Sequence, residues 1–362
     1  MIRISLIVPV FNRPDEVEEL LESCCRQNRI SGLNVSKNRN PETEEDDFEI
    51  IIVEDGSTLR CEDRCRKFSD RLNLRYYYKD NSGPGMSRNY GAEKAEGEYL
   101  IVLDSDVVLP PDYITEVWKE LEQMPTDAFG GPDRAHDSFT DTQKAINYSM
   151  TSFFTTGGIR GGKKKLDKFY PRSFNMGIRR DVYRALGGFS KMRFGEDIDF
   201  SIRIFRDGYR CRLFPEAWVW HKRRTDIKKF FRQVYNSGIA RINLFKKYPN
   251  SLKPVHMLPA AFTVGVICMV LLSIAGCIMT VCGNTTTGPI MATLPWLPIL
   301  LFILLIFTDS AIRNRSFRIG FISIAAAFVQ LMGYGLGFIG AWWKRCVCGK
   351  DEFEAFRNTF YK

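Results

Sequence analysis

The order of apolar and polar positions divides the chain into two kinds of text. Up to about residue 250, short apolar runs alternate with helix-spaced segments. "ISLIVPVFN" is an apolar run that closes on Asn12-Arg13-Pro14, and "DEVEELLESCCRQ" follows with helical spacing and acids in its first turn. "FEIIIVEDGS", "LRYYYKD" and "YLIVLDSD" repeat the strand pattern, and "GMSRNYGAEKAEG" reads as a helix between the last two. Strands alternating with helices predict an α/β fold, a mainly parallel sheet with helices on both faces. Ligands of such folds bind beyond the carboxyl ends of the strands. Here the strands end on Asn12-Arg13, on Glu54-Asp55-Gly56-Ser57 and on Asp104-Ser105-Asp106, all polar and turn-forming.

From about Leu258 to Trp343 charged residues nearly vanish. Leu258–Cys282, Ile290–Thr308 and Ile319–Trp342 each approach the roughly 20 residues that a helix needs to cross a bilayer. A buried hairpin in a soluble protein is the competing reading, but the stretches stay apolar all round. The third holds Gly333-Tyr334-Gly335-Leu336-Gly337, a G-x-x-x-G pattern suited to close helix packing and to pairing of copies. Ahead of them, residues 226–248 have apolar positions at 227, 230, 231, 234, 238, 242 and 245, with Lys and Arg on the other side. That spacing predicts an amphipathic helix lying on an anionic membrane, or one packed on the globular part. The expected division is therefore a globular unit over 1–225, an interfacial helix over 226–250, about three membrane helices over 258–343 and a tail over 344–362.

Charge sharpens this picture. The formal net charge of +9 suits nucleic acid, anionic lipid or phosphorylated small molecules. Nucleic acid is the poorest fit, because much of the basic charge borders the apolar stretches instead of forming an aromatic-studded face. Lys246, Lys247 and Lys253 precede the first stretch, Arg313, Arg315 and Arg318 lie between the second and third, and the loop "GNTTTG" is uncharged. The positive-inside rule then places the basic flanks and the globular unit in the cytoplasm, as expected at a bacterial inner membrane. "SLIVPV" is too short for a signal peptide and has no cleavage site. Three full crossings would put Lys344 and Arg345 outside, against the same rule. Either the third stretch does not fully cross or the rule fails there. The ten cysteines show neither a disulfide framework nor zinc spacing, so reduced thiols are expected.

Residues two apart on a strand point the same way, so Asp104 and Asp106 can face one site at a strand's end. Two carboxylates there suit a hard divalent cation joined to substrate phosphates. A lone Asp-Ser-Asp is also an ordinary polar turn. Here it does not stand alone. The ordered set "IVPVFNRP", "IIIVEDGST", "NSGPGMSRNYG", "YLIVLDSDVVLPPDYI", "FNMGIRRDVYRALGGF" and "FGEDIDFSIRIFRDGY" resembles the family 2 glycosyltransferases with the GT-A fold, over about residues 3–245.

The resemblance implies an inverting transfer from a nucleotide sugar, UDP-linked in preference to GDP-linked, assisted by Mn²⁺ or Mg²⁺. It implies a hexosyl or N-acetylhexosaminyl group and a lipid-linked or glycan acceptor. By position it makes Asp55 the contact to the donor's base and Pro9 through Arg13, Phe11 included, the lining of the nucleoside site. It brings Arg88 to the nucleotide, has Gly83 permit close backbone approach, and counts Asn175 and Asp104 among the donor contacts. Asp106 is the more direct metal ligand, with Asp104 beside it. Glu196 and Asp197 match the family's acidic pair, whose aspartate is the base. His221 approaches the metal or diphosphate in many relatives, or is a surface histidine in a basic run. The usual "DDGS" reads Glu54-Asp55-Gly56-Ser57. The Q-x-x-R-W motif of membrane polysaccharide synthases is absent, since Gln233 is followed by Val234-Tyr235-Asn236-Ser237, which argues for a non-processive enzyme.

"GGIRGGKK" satisfies G-x-x-x-x-G-K, but Lys164 stands where a phosphate-binding loop needs Ser or Thr. A flexible basic loop is the better reading, with Lys163 and Lys164 candidates to touch an acceptor phosphate. Arg223 and Arg224 either hold phosphate or face lipid head groups. A non-catalytic scaffold or sensor built on the same fold is the alternative function. The full acidic set Asp104, Asp106, Glu196 and Asp197 speaks for the enzyme.

Overall fold

The structure, a computed structural model, describes residues 3–28, 48–134, 139–156, 169–222 and 225–357. These fall into a sheet unit, which holds the described residues up to Arg134 and 169–222, and a helical unit of 139–156 and 225–357. The expected globular unit ran unbroken to 225; in the structure the segment 139–156 belongs to the helices instead.

In chain order the sheet unit contains β1 (Ile4–Val10), α1 (Pro14–Cys25), β2 (Phe48–Asp55), α2 (Glu62–Arg66), β3 (Leu74–Lys79), α3 (Pro84–Lys94), β4 (Tyr99–Leu103), β5 (Val107–Val108), α4 (Tyr113–Gln123), β6 (Ala128–Gly130) and β7 (Asp133–Arg134). After α5 (Asp141–Thr151) and α6 (Phe153–Thr156) of the other unit, it resumes with β8 (Asn175–Arg179), α7 (Arg180–Ala185), α8 (Glu196–Arg206), β9 (Cys211–Leu213) and β10 (Val219–His221). The main sheet has the order β3-β2-β1-β4-β8-β6-β9. β1 to β4 run parallel, β8 is antiparallel to both β4 and β6, and β9 is parallel to β6. The predicted mixed, mainly parallel α/β sheet is thus observed.

β1 and β4 are buried on both faces, which is why they read as unbroken apolar runs. Ile4, Leu6 and Val8 of β1 pack towards Val17, Leu20 and Leu21 of α1, while Ile7 packs on the opposite face with Ala92 of α3 and Phe200 and Ile204 of α8. α3 lies so close that a Cβ on Gly91 would sit 2.6 Å from Ile7 Cγ2. The strand order reverses at β1, with β2 on one side and β4 on the other. The carboxyl ends of β1 and β4 therefore flank the crevice where such sheets bind ligands. A second, three-stranded sheet in the order β5-β10-β7 stands beyond β4.

The helical unit continues with α9 (Ile227–Lys247), α10 (Leu258–Val281), α11 (Thr287–Thr293), α12 (Leu297–Asn314), α13 (Phe317–Trp342) and α14 (Glu352–Phe356). Among the described residues three helical segments, 258–281, 287–314 and 317–347, are long and apolar enough to cross a membrane. α9 departs from expectation. Part of the face predicted to rest on lipid is packed on α13: a Cβ on Gly238 would lie 2.2 Å from Tyr334 O, and one on Gly337 would lie 2.1 Å from Tyr235 O. All ten cysteines are free thiols.

Candidate active site

Three strand ends build the site. At the end of β1, Asn12 adopts φ 54°, and its Oδ1 accepts the backbone N–H groups of Thr58 and Leu59, each at 2.9 Å. Its own N–H donates to Ser57 Oγ at 2.9 Å, so β1 is stapled to the loop after β2. The staple leaves Arg13 free to pair with Asp106. At the end of β2, Asp55 accepts from Lys79 Nζ at 2.5 Å and from the backbone N–H groups of Ser82 and Gly83 at 2.9 and 2.8 Å. Gly83, at φ +90°, is the residue that turns this loop into α3. Phe11 is half exposed and Pro9 half-buried beside this end of the sheet.

α3 then delivers Arg88, which is buried and bridges two acids. One guanidinium nitrogen donates to Asp104 Oδ1 and the other to Glu196 Oε1, each at 3.0 Å, and the group lies 5.2 Å from the ring centroid of Phe189. The guanidinium expected to reach the nucleotide thus links the Asp-Ser-Asp turn to the head of α8.

The small sheet assembles the second half of the site. β5 follows Asp106 directly, and His221 of β10 pairs across to Val107. β10 in turn lies parallel to β7, with Val219 opposite Asp133. His221 Nε2 therefore lies 3.3 Å from Asp106 Oδ1 and 4.0 Å from Asp104 Oδ2, and its Nδ1 lies 3.8 Å from Asp133 Oδ2. Phe174 stacks on the imidazole at 5.0 Å. Burial disfavours the charged imidazole, but the carboxylates of Asp106 and Asp133 outweigh it and push the His221 pKa up to about 9. Burial likewise opposes the Asp106 charge, and His221 and Arg13 overcome it, holding that carboxyl below the usual range.

Glu196 and Asp197 open α8 after Gly195 at φ +86°. Asp197 Oδ2 accepts from Arg172 Nε at 2.6 Å and Oδ1 from the Ile198 N–H at 2.8 Å. Their environments push the two acids apart. Burial raises Glu196 despite Arg88, whereas at Asp197 the Arg172 guanidinium prevails over burial and lowers the pKa. Asp197 is thus a fixed anion at neutral pH.

Asn175 is fully buried. Its Oδ1 accepts from Tyr113 OH at 2.6 Å and its Nδ2 donates to Ala217 O at 2.8 Å. Both ends of the amide tie β8 to neighbouring segments, so the structure gives this residue a fastening role. Lys163, Lys164, Arg223 and Arg224 lie outside the described residues. Two contributors were missed by sequence reasoning. Asp133 sits on a two-residue strand and Arg172 in an aperiodic segment; neither position carries a pattern that names its partner.

Asp104, Asp106 and His221 each offer one ligand atom within 4.8 Å of the others. Two carboxylate oxygens and an imidazole nitrogen suit Mg²⁺ or, better with nitrogen present, Mn²⁺. Five carboxylates (Asp104, Asp106, Asp133, Glu196, Asp197) stand against three guanidiniums and one imidazole. Such a surplus of negative charge is suited to a cation.

The profile of glycosyl transferase family 2 matches residues 5–187, and that of glycosyl transferase family group 2 matches residues 99–308. The chain belongs to glycosyl transferase family 2. Among curated proteins it is 26% identical over 241 residues to a probable glycosyltransferase, YdaM, of Bacillus subtilis strain 168, covering 64% of this chain and 53% of that protein. It is 33% identical over 118 residues to the poly(ribitol-phosphate) beta-N-acetylglucosaminyltransferase TarS of Staphylococcus aureus strain Mu50, covering 32% of this chain and 17% of TarS. The chain thus spans about half or less of these relatives' own length. Among solved structures it is similar in fold to the mannosyltransferase PcManGT of Pyrobaculum calidifontis, in complex with GDP-Man and Mn²⁺, with a TM-score of 0.52 and 16% identity over 95% of this chain and 88% of that one. The GT-A fold expected from the sequence is the fold observed.

Proposed function

We propose that the chain is a membrane-anchored, inverting, non-processive glycosyltransferase. It moves a hexosyl or N-acetylhexosaminyl group from a nucleoside diphosphate donor, UDP-linked in preference to GDP-linked, to a lipid-linked or glycan acceptor. The observation that carries this reading is the convergence of Asp104, Asp106 and His221 at the end of β4, joined through Arg88 to Glu196 at the head of α8.

In the proposed reaction an acceptor hydroxyl attacks the anomeric carbon in line with the departing diphosphate. Asp197 takes the hydroxyl proton, and a single displacement inverts the centre. Arg172 keeps Asp197 ionised and fixes its orientation. Arg13 and Arg88 lie beside the acids that would face the diphosphate, so their positive charge serves the same end of the donor. A divalent cation held by Asp106, Asp104 and His221 would offset the charge growing on the leaving group. In this reading Asp55, with Pro9 and Phe11, would meet the nucleoside. The apolar helices anchor the chain, with the sheet unit on the cytoplasmic side, as the basic flanks require.

The test is calorimetric binding of UDP and GDP to the detergent-purified chain, with and without Mn²⁺, alongside Asp106→Asn. Metal-dependent binding of one nucleotide that Asp106→Asn abolishes is the expected result. A folded sample that binds neither would point to the scaffold alternative.

A further inference from the structure

The three apolar segments are not alike. In their most apolar windows 6% of 258–281 and 11% of 287–314 is buried within the protein, against 44% of 317–347. Part of what covers α13 is α9, a helix whose other face is polar. α9 runs beside it in the same direction, and the contacts advance together along both helices. Gly333 meets Phe231 and Val234, Gly337 meets Tyr235, Gly238 meets Tyr334 and Phe338, and Arg345 Nε donates to Asn243 Oδ1 at 3.1 Å. Helices packed side by side share a depth. Over that length α9 carries Arg232, Gln233, Asn236 and Arg241, with Arg232 exposed, and it ends on the exposed Lys246 and Lys247. Charges at those levels do not tolerate hydrocarbon. The first half of α13 is held from the same direction by α5, through Ala145, Ile146 and Met150 against Ile319 and Ala326. Arg318, at its start, pairs with Asp141 at 3.3 Å. Both ends of α13 are basic, which the positive-inside rule forbids for one crossing.

We infer that α13 does not cross the bilayer: the surface that meets the lipid core is the α10–α12 hairpin alone, and α13, clamped by α9 and α5, is its base on the side of α9. The hairpin stands on this base at identifiable points. On α10, Pro259 and Thr263 meet Gly335; on α12, Phe307 and Ala311 meet Gly320, and Ser310 Oγ lies 2.7 Å from Ser323 Oγ. Two crossings leave Lys344 and Arg345 on the side of Arg313, Arg315 and Arg318, and the conflict over charge disappears. The inference deepens the membrane-anchored reading and rests on it.

Native cysteines supply the test. Cys282 follows α10 and Cys348 follows α13, and both are exposed. Full-length variants keeping only one of them, in native membranes, are exposed to a membrane-impermeant maleimide from each face in turn. Recovery in the alkaline-washed membrane pellet comes first, since a chain washed off would overturn the anchored reading together with this one. For a retained chain, two crossings predict that Cys282 and Cys348 react from opposite faces, each at least tenfold faster than from the other. Three crossings predict the same face, and that result overturns the inference, as does a Cys348 that reacts only after detergent. A second measurement does not depend on thiols. Leu336→Lys on α13 should leave the amount of membrane-inserted chain within twofold of the parent, whereas Leu271→Lys, at an exposed position in the middle of α10, should lower it severalfold. Equal losses would count against the inference.

Discussion

Around Asp106, groups that repel are brought together and held by counter-charges: Arg13 and His221 on one carboxylate, Arg88 across Asp104 and Glu196, Arg172 on Asp197. Along α13, backbones that side chains normally keep apart are brought together by glycine, at Gly238 against Tyr334 and at Gly337 against Tyr235. The first region depends on charge and tolerates little change in it. The second depends on missing volume and is indifferent to charge. The two should therefore fail in different ways: the site by losing binding and turnover while folded, the helix contact by losing stability.

The largest effect is expected from removing charge while keeping shape. Asp106→Asn should abolish metal-dependent nucleotide binding, and turnover should fall by at least about 10²–10³-fold, the usual loss for one preorganised electrostatic contact at a leaving group. Thermal unfolding of the purified chain should change little. Asp197→Asn should cost about 10²–10⁴-fold in kcat, the range for a general base, with donor affinity kept. If Glu196→Gln were the more damaging of the two, the base would be Glu196, whose raised pKa lies nearer the value suited to a base.

Arg172 sharpens the same region through pH. Its guanidinium lowers the Asp197 pKa, so the base stays ionised as pH falls and the acid limb of the rate profile lies below the ordinary carboxylate range. Removing it raises that pKa. Arg172→Gln should move the acid limb to higher pH, and Arg172→Lys should move it part of the way back. A limb that does not move would show that Asp197 is not the group that titrates.

How much of this could be read beforehand follows the same division. β1, β2, β3 and β4 were legible because each is a run of five to eight residues ending on polar residues. Asp104 and Asp106 were legible because their spacing puts them on one site. Asp133 and Arg172 were not, because a two-residue strand and an aperiodic segment have no period to read. Asn175 makes a related point: motif position places it on a strand end but does not reveal that its amide bonds Tyr113 and Ala217. For α9, amphipathic spacing showed that one face must be covered without showing by what. Gly238 was the unused clue, as a small residue on an apolar face permits a second backbone to approach.

The volume-limited contact should respond to a neutral, larger side chain. At Gly337 the first added carbon alone meets Tyr235 O, so Gly337→Leu should destabilise the helical unit by about 1–3 kcal/mol or more, as overpacking does. Gly265 on α10 is the control, since nothing lies within 4 Å of its added Cβ. Gly265→Ala should be neutral or stabilising by up to about 1 kcal/mol, the difference in helix propensity. Thermal unfolding in detergent measures both.

The smallest effect tests where the two kinds of region meet within the helical unit. Tyr148 on α5 donates to Asp309 Oδ2 at 2.7 Å, and Arg313 holds the other oxygen of Asp309 at 2.9 Å. Burial and that carboxylate push the Tyr148 pKa up to about 12, so the phenol remains a donor at any pH where the chain is handled. Tyr148→Phe removes one hydrogen bond and leaves the ion pair. If this end of α12 stands in the wet head-group region, as the basic residues beside it require, water replaces the phenol and the loss should be about 0.5–1.5 kcal/mol. A loss above about 3 kcal/mol would mean that Asp309 is left unsatisfied in a dry environment. The level at which α12 leaves the lipid would then lie beyond Asp309, and α13, whose Ser323 is bonded to Ser310 one residue further along α12, would begin within the lipid.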